Sequence, residues 1–133
     1  MKKSVIYILI FSSLLIIGYS CNNEKICTME FRMIQVTVKE SDNSIADIDK
    51  FCVVKALNGD TILTDESTFY NDPYLEGLTI FTDNEMKYTN TNGCEFILTC
   101  YKDTALIVNE KYTIKHDDCH IELLSGKTLI KLQ

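Results

Sequence analysis

The sequence predicts an all-β protein, an antiparallel two-sheet sandwich of about seven strands of the immunoglobulin-like or transthyretin-like kind. Three observations predict it. Apolar and polar residues alternate with period two through most of the 133 residues, closely spaced turn-forming residues divide the alternating runs, and no run has the apolar spacing of an amphipathic helix. Alternation at period two places every second side chain on one face, so each such run can bury one face in a shared core.

The elements follow in order. Ile34, Val36 and Val38 alternate with Gln35 and Thr37, giving a first strand over residues 28 to 39. The polar run Ser41 to Ser44 marks a turn, because short Asp, Asn and Ser side chains bond to their own backbone. The acidic stretch IADIDK leads to a second strand over residues 51 to 57. Asn58 and Gly59 then predict a type I′ hairpin, whose two central positions need positive φ, with TILT as the return strand. Further strands are predicted over residues 78 to 82, 86 to 90, 94 to 102, 105 to 116, 120 to 124 and 128 to 132. Asn92 with Gly93, Lys102 with Asp103, and Ser125 with Gly126 mark turns between them.

The start of the chain reads differently. Lys2 and Lys3 precede a 13-residue run from Val5 to Ile17 that only Ser12 and Ser13 interrupt, and small residues follow. That order is a secretory signal. The run is shorter than the roughly 20 residues a membrane-spanning helix needs. The organisation predicted is a signal peptide over 1–20, a lipidated tether over 21–27 and a β-sandwich domain over 28–133. Gly18 and Ser20 suit ordinary cleavage before Cys21, and a cysteine at that point also resembles a bacterial lipobox, whose thiol takes diacylglycerol. Removing residues 1 to 20 removes two lysines and no acid, leaving 11 basic against 19 acidic side chains, a formal charge of −8. An acidic chain without a basic cluster excludes nucleic acid as a partner.

Six cysteines remain to be assigned: Cys21, Cys27, Cys52, Cys94, Cys100 and Cys119. An exported chain meets an environment in which disulfides persist. If Cys21 pairs, three bridges are possible. If it carries lipid, one of the other five stays single or pairs with another chain. Cys94 and Cys100, six apart in one strand, share a face and are too far apart to bridge each other, so each pairs elsewhere, Cys52 being one partner, or stays reduced in the core. Cys27 precedes the first strand and Cys119 a late one, which makes them the first choice for a bridge, worth roughly 2–4 kcal/mol.

The lipobox-like cysteine, the short polar tether, the opening CTMEFRMIQVTVKESDN and the closing DDCHIELLSGKTLIKL together resemble small Bacteroidales-type lipoproteins with a transthyretin-like, carboxypeptidase-regulatory-like sandwich. In that pattern the first turn carries Gly and Pro, whereas this chain has Asp42, Asn43, Ser44 and Ile45. The resemblance implies a β-sandwich, a lipid on Cys21 (diacylglycerol with palmitate) and a non-catalytic accessory role in the cell envelope. It implies no cofactor and no reaction.

Chemistry-bearing residues concentrate in two places. His116, Asp117, Asp118, Cys119 and His120 include metal-competent ligands, and on an extended strand His116, Asp118 and His120 would share a face; the preferred reading is a turn with solvated acids and a disulfide-bonded Cys119, so no metal is expected. The longest irregular stretch, residues 65 to 77, holds Phe69, Tyr70 and Tyr74, aromatics suited to a protein or glycan ligand, the preferred reading being that they fold inward to cap the open end of the sandwich. Asp42, Asp47 and Asp49 could supply oxygens to calcium but lack the glycine and glutamate of an EF-hand loop. The function predicted is a non-catalytic envelope lipoprotein, on the periplasmic or outward side of the outer membrane, that binds a protein or glycan partner. The alternative is a small surface hydrolase or metal-binding protein using the residues from His116 to His120. A third possibility is a subunit that assembles by strand addition at an open edge.

Overall fold

The computed structural model describes residues 25–65 and 77–133. Cys21, the segment 1–20 and the aromatic residues Phe69, Tyr70 and Tyr74 lie outside them. Eight strands run in chain order: β1 (Met33–Lys39), β2 (Lys50–Lys55), β3 (Thr61–Asp65), β4 (Leu78–Thr82), β5 (Cys94–Lys102), β6 (Ala105–His116), β7 (Ile121–Ser125) and β8 (Leu129–Lys131). They form a three-stranded sheet in the order β4-β1-β8 and a five-stranded sheet in the order β3-β2-β5-β6-β7. The expected all-β sandwich is therefore the fold. All pairs are antiparallel except β1 with β8, which is parallel.

Alternation builds the core as the sequence requires. Ile34, Val36 and Val38 of β1 are buried while Gln35, Thr37 and Lys39 between them are partly exposed, and Phe96, Leu98 and Cys100 of β5 repeat the pattern from the opposite sheet. These faces meet in one cluster with Phe51, Val53, Tyr112 and Ile114, where the Phe81 and Phe96 rings pack across the sheets with centroids 4.9 Å apart. In β4 two consecutive residues, Ile80 and Phe81, are buried. A bulge explains this, since the β1 register skips from Phe81 to Thr79 and lets both side chains face inward.

Three local expectations are corrected. The first strand, expected over residues 28 to 39, begins only at Met33. The run from 86 to 90, expected as a strand, falls largely in a 3-10 helix, Asp83–Tyr88. Its start is a capping box: the Asn84 amide donates to the Thr82 hydroxyl, and the Thr82 amide donates to Glu85 at 2.9 Å. Thr82-Asp83-Asn84-Glu85 carries that signature in sequence, and it outweighs the alternation downstream. The β2–β3 hairpin forms, but not through a type I′ turn. Only Gly59 takes positive φ, at 73°, and its amide closes a wider loop by donating to the Lys55 carbonyl at 2.8 Å. The short-side-chain turn at Ser41 to Ser44 is as expected, with Asn43 at φ 69° and the Ser44 amide donating to Asp42.

The chain crosses from the five-stranded to the three-stranded sheet between β7 and β8, and that crossing is fixed at one place. Tyr112, buried in β6, donates its hydroxyl to the Lys127 carbonyl at 2.7 Å. Gly126 lies flat on the ring, where a Cβ would stand 2.2 Å from Tyr112 Cδ1, at φ +134°. A side chain here meets both a steric and a backbone penalty. Gly126→Ala is expected to lower stability by roughly 2–4 kcal/mol in urea denaturation, and Tyr112→Phe by about 1 kcal/mol. A Gly126→Ala loss below about 0.5 kcal/mol would contradict this role for the corner.

Candidate functional site

The residues that carry chemistry gather where the segment ahead of β1 meets the turn between β6 and β7. Cys27 and Cys119 are joined by a disulfide with Cα atoms 5.3 Å apart, closing a separation of 92 residues and tying the N-terminal segment to the turn. Lys25 pairs with Asp117 beside it. The first-choice bridge from the sequence is thus present.

Next to the bridge, His120 turns inward. Its Nδ1 lies 2.9 Å from Asp83 Oδ2 and its Nε2 lies 3.0 Å from Thr28 Oγ1, with the residue only 7 % exposed. An Nδ1–H that donates to the carboxylate leaves Nε2 to accept from the Thr28 hydroxyl. Asp83 does more than orient the imidazole. Its Oδ2 accepts from the Arg32 amide at 2.8 Å and its Oδ1 from the Ile121 amide at 2.9 Å, so one carboxylate binds the entry to β1, the start of β7 and His120. Burial pushes the Asp83 carboxyl up, but the two amides and the imidazole outweigh it and hold the group below its ordinary value of 3.8.

Hydroxyl, imidazole and carboxylate in series are the parts of a nucleophile-activating relay. Acyl transfer also needs paired amide donors aimed at a developing oxyanion. The amides around this turn are already occupied: Asp118 donates to His116 Nδ1, Cys119 and His120 to Asp117 Oδ1, and Ile121 and Arg32 to Asp83. Those two turn amides hold Asp117 below its ordinary range. The arrangement works as a clasp that fixes the N-terminal segment against β7.

What the clasp positions is a groove. β1 pairs with β4 along residues 33–36 but with β8 only along residues 37–39, so the β8 side of residues 33–36 has no strand partner among the described residues. β7 is the edge strand of its own sheet. Between these edges opens a groove of about 550 Å³, lined by Phe31, Met33, Ile34, Ile121 and Leu123, with Glu30 and Glu122 among its polar members. Phe31 is half exposed, as is Met33.

The other sequence candidates are distributed elsewhere. His116, Asp118 and His120 do not share a face. The strand ends at His116, Asp118 sits in the turn at φ 76°, and His120 points to Asp83. Asp42 is engaged by the Ser44 amide and hydroxyl, which hold it below its ordinary value, and Asp47 and Asp49 both bind Lys102. Cys52, Cys94 and Cys100 are unpaired. Cys52 sits on the outer face of β2 while Phe51 and Val53 face inward, and Cys100 opposite Phe51 faces the core, so the sheet itself separates those two thiols. Burial pushes the Cys100 thiol up to about 12, which leaves it a small core hydrophobe. Sequence reasoning missed Asp83 and Thr28. Asp83 lies inside the capping box, the one local signal that could have marked it. No protein-family model, curated protein or solved structure matches the chain.

Because the folded pKa of Asp83 is depressed, its stabilisation is present in full above its unfolded value near 3.8 and is lost as pH falls through the lower folded value. Asp83→Asn is expected to cost roughly 2–3 kcal/mol at pH 7, with the gap to the native chain narrowing below pH 3.8. Urea denaturation over pH 2 to 7 measures both. A gap that stays constant across that range would place the stabilisation elsewhere.

Proposed function

We propose that the protein is an exported, lipid-anchored accessory module of the bacterial cell envelope that binds another envelope component and performs no reaction of its own. The observation that carries this reading is the groove between β1 and β7, an apolar recess beside two strand edges that have no partner among the described residues, with a disulfide and the multiply bonded Asp83 carboxylate fixing the segment at its margin. Binding sites are concave, apolar and built on rigid elements. A disulfide closing 92 residues supports an oxidising compartment, where such bridges persist. The signal-like N-terminus with Cys21 at its end supports a lipid, and diacylglycerol with a third chain holds a domain on a bilayer where a single chain is marginal. Among the described residues no helix is long and apolar enough to cross a membrane.

The anchor is tested in cells fed an alkyne analogue of palmitate. Label is expected on the native protein in the membrane fraction, and Cys21→Ser is expected to lose the label and move to the soluble fraction. Membrane retention of an unlabelled Cys21→Ser chain would refute the lipid.

A second reading, a small surface hydrolase, has the Thr28–His120–Asp83 relay in its favour. It requires Thr28 Oγ1 to attack a carbonyl while His120 takes its proton. Hydrolysis of p-nitrophenyl acetate by the native chain is expected to equal that of His120→Gln. A rate at least about a hundredfold higher in the native chain would turn the assignment to the enzyme.

A further inference from the structure

We propose that the groove receives an extended peptide strand from a different protein, apolar at alternate positions and flanked by lysine or arginine, which pairs with residues 33–36 of β1. The inference rests on the binding-module reading and names the partner's chemistry.

The vacancy is defined by strand pairing. In the three-stranded sheet β1 is central, with β4 along one side and β8 along the other. β8 covers only residues 37–39, because the chain arrives there from the Gly126 corner and the Thr37 amide donates to the Thr128 carbonyl at 2.8 Å. Among the described residues, 33–36 pair with β4 alone. A strand laid there continues the line of β8 and completes the sheet over four residues. Amide and carbonyl groups that repeat with period two are matched by another polypeptide backbone.

Side chains select the same ligand. One face of an added strand would meet Ile34, Ile121 and Leu123 on the groove floor, and the other would look outward, so alternate positions must be apolar. Phe31 and Met33, half exposed at its margin, provide further apolar area that a bound strand would cover.

Charge decides between a second copy and a foreign strand. The whole chain carries a formal charge of −6, and Glu30 and Glu122 lie on the groove with exposed side chains. Their own partners, Arg32 at 3.5 Å and Lys115 at 3.0 Å, form surface pairs that contribute little and leave the carboxylates open to another cation. A second copy brings the same acidic surface. A basic flank meets both glutamates and is drawn to the acidic chain as a whole.

The test uses the full chain in detergent with three end-blocked peptides: alternating Val-Thr flanked by Lys pairs, the same flanked by Glu pairs, and the Lys-flanked peptide N-methylated at alternate residues. Fluorescence anisotropy is expected to show saturable binding of the first, about tenfold weaker binding of the second and none of the third, and hydrogen exchange of residues 33–36 is expected to slow. Phe31→Ala is expected to weaken binding about fivefold with the melting temperature unchanged. Absence of saturable binding overturns the proposal. So does equal binding of the N-methylated peptide, which signals apolar adhesion, or protection of residues 33–36 in a peptide-free dimer, which assigns the groove to a second copy. Palmitate labelling at Cys21 is independent of these readouts: failed peptides with a labelled Cys21 would remove the strand ligand and keep the envelope module.

Discussion

The Asp83 carboxylate is the constraint on which the functional end of the molecule depends. It sits at the first position of the 3-10 helix, just after β4 in the three-stranded sheet, and reaches the Ile121 amide at the head of β7 in the five-stranded sheet. It also holds the Arg32 amide and the His120 imidazole. A buried carboxylate without partners is costly, and one with several donors fixes every segment that supplies one. Leaving the Ile121 and Arg32 amides and the buried His120 imidazole without this acceptor is the penalty for any arrangement that pulls these segments apart.

Two further ties act at the two ends of β7, the disulfide before it and the Tyr112 bond after it, and their effects differ in kind. The Cys27–Cys119 bridge limits how far the segment ahead of β1 can travel in the unfolded chain, while the clasp specifies where it rests in the folded one. The Tyr112 hydroxyl on the Lys127 carbonyl sets where the chain leaves β7 for β8, and hence where β8 begins to cover β1. The groove is the space left between those two decisions.

Period-two alternation sufficed for most of the strands, because a one-residue slip would turn a whole strand inside out and the pattern therefore fixes which face is buried; the pairing register, shifted by bulges in four pairs, was not legible. β4, β5 and β6 have the bounds the alternation predicts. Alternation failed over residues 86 to 90, where a local capping box won, and at Asn58, where the loop adopted a wider closure than its dipeptide suggests. The pairing of Cys27 with Cys119 was legible from their positions flanking an early and a late strand. The site was much less so. His120 belongs to a cluster visible in sequence, but its partners Thr28 and Asp83 are 92 and 37 residues away, and nothing in local pattern links a cap residue to a turn histidine. The groove was illegible for the same reason: it arises from strand coverage, which only topology determines.

The dependence on Asp83 is open to one direct observation. In a nuclear magnetic resonance titration of the folded chain, the Asp83 side-chain carbon and the amide protons of Arg32 and Ile121 should move with a single shared midpoint below 3.8, since all three report the same carboxylate. An Asp83 midpoint at or above 3.8, with the two amides unresponsive, would contradict the claim that this carboxylate joins the sheets.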